Sequence, residues 1–175
     1  MIDYTNPEIW NTIWSRPYKN YEKHHQVFWN KILSLAHGNI LDIACGSASV
    51  WRGTTLNVYG VDFSSSAIAE ASKNCPHGKF KVGTIPEDLS EYSQMQWDTI
   101  VLCGLVNYYR DLTYLKSMLK CLSHKGTIII VTINVIKDFP DREWDFQTIM
   151  DEFLQLGKIE AEFIDKIGWF ITIKV

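Results

Sequence analysis

The sequence predicts an α/β fold with a parallel, doubly wound sheet, and three features predict it. Short apolar strands alternate with helical segments from Ile40 onward, which is typical of a parallel sheet covered by helices on both faces. The first of these strands, Ile40 to Ala44, carries Asp42 and runs into small residues that can make a tight turn. A second strand ends in another acid, Asp62, twenty residues after Asp42.

A strand, a small-residue turn, a helix and a second strand that ends in an acid form the layout of an adenosine-binding unit. Small side chains let a ligand approach the backbone, and free amides at a helix start favour polar or anionic groups. A carboxylate at Asp62 can accept hydrogen bonds from both hydroxyls of a ribose. Ligands of doubly wound sheets bind at the carboxyl ends of the strands, where the strand order reverses.

The N-terminal segment is predicted to hold two helices. Asn6 and Pro7 provide a cap and a first helical position, and a second helix is expected from about Glu22 to Ala36. Four further helices are expected: a short one after the first strand, one capped by Ser64 or Ser65, one from Asp111 ended by Gly126, and one from about Asp145 to Leu156. The predicted strands are Ile40–Ala44, a strand from Asn57, Lys79–Gly83, Trp97–Cys103, Thr127–Asn134, Ile159–Ile164 and Trp169–Val175. The last two are close in sequence and should pair antiparallel.

Length and composition favour one globular domain over residues 1–175. Because the links after the fourth and fifth strands are too short for an inserted substrate domain, residues 1–35 are expected to form an N-terminal helical lid on a core of residues 36–175. A net charge of −3 gives no general attraction to nucleic acid or to an anionic membrane. The longest apolar run, Thr127 to Ile136, is too short to span a bilayer, and no secretory signal is visible. Four cysteines without a close pair favour free thiols in a cytoplasmic protein and no metal site. The oligomeric state stays open.

Five stretches carry a family resemblance. The run from Ile40 to Gly46 resembles the first motif of class I S-adenosylmethionine-dependent methyltransferases, which have a Rossmann-like fold, and Asp62-Phe63-Ser64 resembles the second. The stretch from Gly83 to Leu89 resembles the third motif. Trp97 to Val101 and Lys125 to Ile130 resemble the fourth and fifth strands. Each motif alone is weak, but five in the right order and spacing are specific. The resemblance implies the strand order 3-2-1-4-5-7-6 with the last strand antiparallel.

The resemblance also implies S-adenosylmethionine as cofactor and S-adenosylhomocysteine as product. Asp42 would face the methionine part, and Ala44, Cys45 and Gly46 would offer backbone contacts. Asp62 would hold the ribose, with Phe63 against the adenine. The family often has glycine at positions 44 and 48, where this chain has alanine, and commonly has aspartate where Thr84 stands. We therefore expect Ile85, rather than Thr84, to contact the adenine. A nicotinamide fingerprint would need G-x-G-x-x-G, and only Gly46 is present.

The acceptor side is less defined by the sequence. Cys103 and Gly104 follow the fourth strand and should run under the sulfonium, while Asn107 and Tyr108 could orient an acceptor. Asn107 could equally anchor its own loop. Tyr21 and His25 would meet the substrate if the N-terminal helices fold over the ligand, and a histidine there could act as a general base. Surface positions for the histidines and core positions for Trp10 and Trp14 are the alternatives.

Three function classes follow. The favoured one is methyl transfer to a small molecule. The chain has no N-P-P-[YF]-like motif after strand four, which marks methylation of exocyclic or amide nitrogen in many relatives, and no basic stripe for nucleic acid. The second class is a methyltransferase acting on a protein or nucleic acid. The third is a module that binds the cofactor without transfer.

Overall fold

The computed structural model describes residues 6–15, 21–85, 87–108, 116, 119, 124–132, 146–164 and 168–175. Its α-helices are α1 (Pro7–Trp14), α2 (Tyr21–Leu35), α3 (Ser65–Asn74) and α4 (Phe146–Phe153). Its strands are β1 (Asn39–Ile43), β2 (Asn57–Asp62), β3 (Lys79–Val82), β4 (Trp97–Cys103), β5 (His124–Val131), β6 (Lys158–Ile164) and β7 (Gly168–Lys174). Short 3-10 helices cover Ser49–Trp51, Glu87–Gln94, Val106–Tyr108 and Leu154–Leu156. No helix among the described residues is long and apolar enough to cross a membrane.

The seven strands form one sheet in the order β3-β2-β1-β4-β5-β7-β6, as the family resemblance implies. Pairs among β1 to β5 are parallel, and β7 runs antiparallel to both β5 and β6. The carboxyl ends of β1, β2 and β4 therefore lie at one edge. The strand order reverses between β1 and β4, which is where a doubly wound sheet binds its ligands.

Helices cover both faces of the sheet. On one face, Phe28 and Ile32 of α2 are fully buried in a cluster with Ile40 of β1 and Ala71 of α3. On the other face, α4 packs against the strand residues that alternate with those of the first cluster. This second cluster includes Leu41, Ile43, Ile100, Ile128, Ile149 and Phe153. Each fully buried Ile, Leu or Phe side chain contributes about 1.5–3 kcal/mol to the stability of the fold. Because α2 belongs to this core, it is part of the folded domain and not a detachable cover.

The helix termini follow the predicted capping. The Asn6 side chain accepts a hydrogen bond from the Glu8 amide at 3.0 Å, with Pro7 at the helix start. Ser64 caps α3 by accepting from the Ala67 amide. The predicted helix from Asp111 lies outside the described residues except for positions 116 and 119, which are helical.

One prediction about local structure was wrong. Gly126 does not end a helix: it lies inside β5, where a Cβ would sit 2.0 Å from the backbone oxygen of Asp98. Glycine is needed there because the neighbouring strand approaches closely. The short helix expected after β1 is the three-residue 3-10 helix Ser49–Trp51. Aligned amides at a helix start therefore do not contribute to ligand binding after β1.

The loop after β1 has an unusual backbone. Ala44 and Ala48 have φ angles of 58° and 51°, in the left-handed region that favours glycine. These are the two positions where the resemblance implies glycine. Each alanine costs about 1–2 kcal/mol of backbone strain. Ala48 is fully buried, whereas Ala44 is only partly buried, so the two methyl groups differ in what they contribute to packing.

We predict that Ala44→Gly stabilises the protein and that Ala48→Gly is close to neutral. Both changes relieve strain and both add about 0.4–1 kcal/mol of unfolded-state entropy. Ala48→Gly also removes a buried methyl worth about 0.8 kcal/mol. Urea denaturation of the two variants should place Ala44→Gly above Ala48→Gly by about that amount. Equal stabilities, or the reverse order, would contradict this account of the loop.

Candidate active site

A cleft opens at the carboxyl ends of the strands, beside the loop that follows β1. Its volume, including the open mouth, is about 620 Å³. Its walls come from the loop, from α1 and α2, and from the ends of β1 and β4. The lining residues are Trp14, His25, Trp29, Asp42, Ala44, Cys45, Gly46, Ser47, Ala48, Ser49, Val50 and Cys103.

Asp62 is a buried acid that connects two loops. Its Oδ2 accepts a hydrogen bond from the Gly46 amide at 2.9 Å, and its Oδ1 accepts one from the Ser64 amide at 2.9 Å. The side chain is only 5% exposed. Burial raises the pKa of Asp62, and the Ser64 and Gly46 hydrogen bonds oppose that rise. A carboxylate offers about four acceptor positions, so this one can receive further donors while it holds both amides.

Asp42 lies in the cleft wall and is also buried, at 3% exposure. Its Oδ2 accepts a hydrogen bond from the indole Nε1 of Trp51 at 2.7 Å. Burial raises the pKa of Asp42 to about 7; the Trp51 hydrogen bond opposes the rise and the charge of Asp62 adds to it. A cation entering the cleft would favour the ionised form of Asp42 and so oppose this rise.

Hydrogen bonds from residues outside the loop stabilise the loop between these two acids. The Asn74 side chain at the end of α3 donates to the Ser47 carbonyl at 2.9 Å, and Arg52 donates to Asn74 Oδ1 from Nη2 at 3.0 Å. The hydroxyls of Ser47 and Ser49 are hydrogen bonded at 2.9 Å. These contacts keep the Gly46–Ser49 backbone in place without a ligand.

Two thiols contribute uncharged surface to the cleft. Burial raises the pKa of Cys45 well above its usual range and that of Cys103 to about 12, and the nearby Asp42 charge adds to both shifts. Both groups remain thiols at neutral pH, which makes them poor nucleophiles. Cys45, Cys75 and Cys103 are free of disulfides in the described part of the chain.

Helix α1 lies across this edge of the sheet. The Asn11 Oδ1 accepts hydrogen bonds from the Ser64 hydroxyl at 2.8 Å and from the Ser66 amide at 3.3 Å. The Trp10 ring lies 6.4 Å from the Phe63 ring. It also makes an edge contact with Tyr108, with 5.0 Å between ring centroids.

One turn further along α1, Trp14 covers the loop after β1. A Cβ at Gly46, whose φ is +51°, would lie 2.7 Å from Cζ2 of Trp14. Gly46 therefore serves both the backbone turn and the close approach of the indole. Helix α1 thus contacts both the β1 loop and the residues that follow β2.

The segment after β3 is stabilised by hydrogen bonds to Asp88, an acid that the sequence analysis did not propose as a site residue. The Asp88 carboxylate accepts a hydrogen bond from the Thr84 amide at 2.7 Å, and the Asp88 amide donates to the Thr84 carbonyl at 3.0 Å. Thr84 is exposed, whereas Ile85 is partly buried and packs against the core. An acid is therefore present beside position 84, although it comes from four residues later.

The structure brings most of the predicted residues to one edge of the sheet. Asp42, Ala44, Cys45, Gly46, Cys103 and His25 line the cleft. Asp62 and Phe63 lie next to it, through the Gly46 hydrogen bond and the Trp10 contact. Gly104 follows β4 and donates its amide to the Val131 carbonyl at 2.9 Å. The side chains of Tyr21 and Asn107 lie outside the described part of the structure.

Sequence reasoning missed one aromatic contribution, that of Trp51, whose indole bonds the buried acid. Trp14 and Trp29, which line the cleft, belong to the N-terminal segment that the sequence predicted as a lid. Nothing in the sequence pattern connects Trp51 with Asp42. Asp98 has a structural role: its carboxylate accepts a hydrogen bond from the Asn39 amide at 2.8 Å, at the start of β1.

Comparisons with known proteins agree with this geometry. Residues 35–167 match a family model described as "Methyltransferase domain". A search of curated protein sequences finds no significant match. The DhpI–S-adenosylhomocysteine complex is 13% identical with a TM-score of 0.72, over 96% of this chain and 94% of that chain.

Two further solved structures show the same fold. A TehB-like S-adenosylmethionine-dependent methyltransferase from Corynebacterium glutamicum is 17% identical with a TM-score of 0.67, over 97% of this chain and 99% of that chain. The Synechocystis magnesium protoporphyrin IX methyltransferase ChlM with bound S-adenosylhomocysteine is 16% identical with a TM-score of 0.66, over 99% and 95%. The family model covers more than half of the sequence, and the chain therefore belongs to the methyltransferase-domain family, as a class I S-adenosylmethionine-dependent enzyme.

Proposed function

We propose that this enzyme transfers the methyl group of S-adenosylmethionine to a small-molecule acceptor. We assign the methionine part of the cofactor to the cleft beside Asp42, and the ribose to Asp62. The observation that carries this assignment is the hydrogen bond from the Gly46 amide to Asp62. It connects the loop that borders the cleft with the acid suited to a ribose.

The donor and acceptor groups suit the cofactor. Asp42 is a buried acid in the cleft wall, and an ammonium group would compensate its charge. Asp62 holds two amides and keeps acceptor positions for two hydroxyls. Phe63 offers an aromatic face, and stacking of a base on such a face is worth roughly 1–3 kcal/mol.

When bound, the cofactor supplies a methyl group on a sulfonium, which has a neutral leaving group. The chain's own residues bind, orient and exclude water, and such positioning can give effective molarities of ~10⁵–10⁸ M. Cys103 and Gly104 are assigned to the wall beneath the sulfonium. Asn107 and Tyr108 are assigned to the acceptor, with the Tyr108 ring held by its contact with Trp10.

Two observations support a small acceptor. The net charge of −3 gives no general attraction to nucleic acid. Trp10 of helix α1 also contacts both Phe63 and Tyr108, so α1 covers the side of the site that we assign to the acceptor. Transfer to a protein or nucleic acid is the second candidate, and it would require α1 to move away. We propose a cytoplasmic location, because the three cysteines that the structure describes are free thiols.

The test is calorimetry with S-adenosylhomocysteine followed by assays of methyl transfer. We expect binding at micromolar to sub-millimolar levels, on the order of −4 to −8 kcal/mol. Asp42→Asn keeps an acceptor for Trp51 but loses the charge, so affinity should fall about tenfold or more. Glu160→Gln, on an exposed part of β6, is the matched control and should bind normally.

The transfer assay uses labelled S-adenosylmethionine with separate small-metabolite, RNA and protein fractions. Label should enter the small-metabolite fraction. Label in RNA or protein alone would favour the second candidate. Normal affinity in Asp42→Asn would contradict the assignment of the methionine part to this cleft.

We also propose that α1 acts as the lid. The predicted lid spanned residues 1–35, but α2 belongs to the core, so the proposal is narrowed to Pro7–Trp14. Asn11 fastens α1 to Ser64, and the Ser64 amide is bonded to Asp62. Ribose binding at Asp62 would thus stabilise the closed position of α1. Such lids exclude water and complete a site.

We predict that S-adenosylhomocysteine increases hydrogen-exchange protection of the α1 amides, and that Asn11→Ala reduces this gain and weakens binding several-fold. The hydrogen bonds lost are each worth about 0.5–1.5 kcal/mol. Thr12→Ala is the control, because the Thr12 hydroxyl donates only to Glu8 O within α1, at 2.9 Å. Protection that is unchanged by ligand in the wild type would show that α1 is a fixed part of the wall.

A further inference from the structure

Helix α2 is placed to reach the cofactor at its N-terminal half. Its C-terminus at Leu35 is joined to the start of β1 at Asn39 by only three residues, and Ile32 packs in the same cluster as Ile40. The helix therefore runs back along β1. From His25 to Leu35 it rises ~15 Å, which is close to the ~16 Å length of five-residue β1. His25 is thus level with the carboxyl end of β1.

His25 faces the sheet. It lies on the same stripe of α2 as Phe28 and Ile32, at the helical spacings of three and seven residues. It is 5% exposed and lines the cleft with Asp42 and the Gly46 loop. The centroid of the Trp29 ring lies 6.4 Å from that of its imidazole, so an indole neighbours the imidazole in the cleft.

Two side chains of the described cleft lining can carry a charge, and their charges are of opposite sign. Among the described residues that line the cleft, Asp42 is the acid and His25 is the side chain that can carry a positive charge. The methionine part of the cofactor is a zwitterion, with an ammonium and a carboxylate on one carbon. A positively charged donor suits that carboxylate best, because charge-assisted hydrogen bonds are roughly twice as strong as neutral ones.

We propose that the His25 imidazole binds the α-carboxylate of the cofactor's methionine part, while Asp42 binds its ammonium. The proposal rests on the assignment of the methionine part to this cleft. His25 then recognises the cofactor and does not act on the acceptor. The cleft thus recognises the amino-acid end of the cofactor through an acid on β1 and a base on α2.

Three ligands separate the two charges. S-adenosylhomocysteine has both the ammonium and the carboxylate, its decarboxylated thiopropylamine analogue has the ammonium alone, and 5′-methylthioadenosine has neither. Calorimetry of the full chain with each ligand gives three affinities for every variant. The variants are His25→Gln and Asp42→Asn, and His37→Gln, an exposed histidine beyond the end of α2, is the control.

His25→Gln should weaken S-adenosylhomocysteine about tenfold or more, which is the loss expected for a hydrogen bond to a charged group. It should leave the other two ligands within about twofold. Asp42→Asn should weaken the first two ligands and spare 5′-methylthioadenosine. His37→Gln should match the wild type for all three.

Two results would overturn the proposal. Equal losses for all three ligands in His25→Gln would mean that His25 only supports the fold. Unchanged S-adenosylhomocysteine affinity combined with a lower transfer rate would make it a base for the acceptor.

The wild type also tests the proposal without substitution. The ring nitrogen resonances of His25 should shift with S-adenosylhomocysteine and stay in place with the decarboxylated analogue. Identical shifts with both ligands would contradict a contact with the carboxylate.

Failure of the inference differs from failure of the proposed function. If no ligand binds the wild type, the cofactor assignment fails. If all three bind and His25→Gln discriminates none of them, only the inference fails.

Discussion

The burial of two carboxylates, Asp42 and Asp62, is the constraint on which the rest of the site depends. Both lie at the edge where the strand order reverses, and both have pKa values raised mainly by burial. Burying an acid is unfavourable unless it is paired or hydrogen bonded. The surrounding chain supplies partial compensation, with an indole N–H for Asp42 and two amides for Asp62. We infer that the remaining compensation comes from the cofactor's ammonium and ribose hydroxyls.

The neighbouring elements follow from this constraint. The Gly46 amide can reach Asp62 only because the β1 loop turns sharply, and that turn places two alanines in the left-handed region. The loop in turn receives Trp14, while Ser64 links Asp62 to Asn11 of α1. The acids, the strained loop and the N-terminal helix are thus connected by direct contacts. We expect a substitution in any one of them to change the affinity for the cofactor.

The sheet could be predicted because the patterns that indicate strands, helices and turns are local in the sequence. Alternating strands and helices predicted the parallel sheet, the closing hairpin predicted an antiparallel strand, and the family resemblance implied the full strand order that the structure has. Asp42, Gly46 and Asp62 were found because strand ends in a doubly wound sheet meet at one edge. The sequence did not predict contacts between distant segments, such as Trp51 with Asp42 or Asn11 with Ser64. Gly126 was misplaced because its reason for being glycine is the Asp98 backbone on the neighbouring strand.

The most direct test of the central claim is the pH dependence of unfolding for the cofactor-free wild type and Asp42→Asn. The folded-state pKa of Asp42 is about 7, above its ordinary value of 3.8. The unfolded chain therefore ionises first, and the wild type should lose stability as pH rises from about 4 to 7 and then level off. Asp42→Asn lacks this loss, so its free energy of unfolding relative to the wild type should increase over the same range. A difference that stays constant from pH 4 to 8, or a variant that is less stable than the wild type at pH 8, would contradict the claim that this acid is held at a cost for the cofactor.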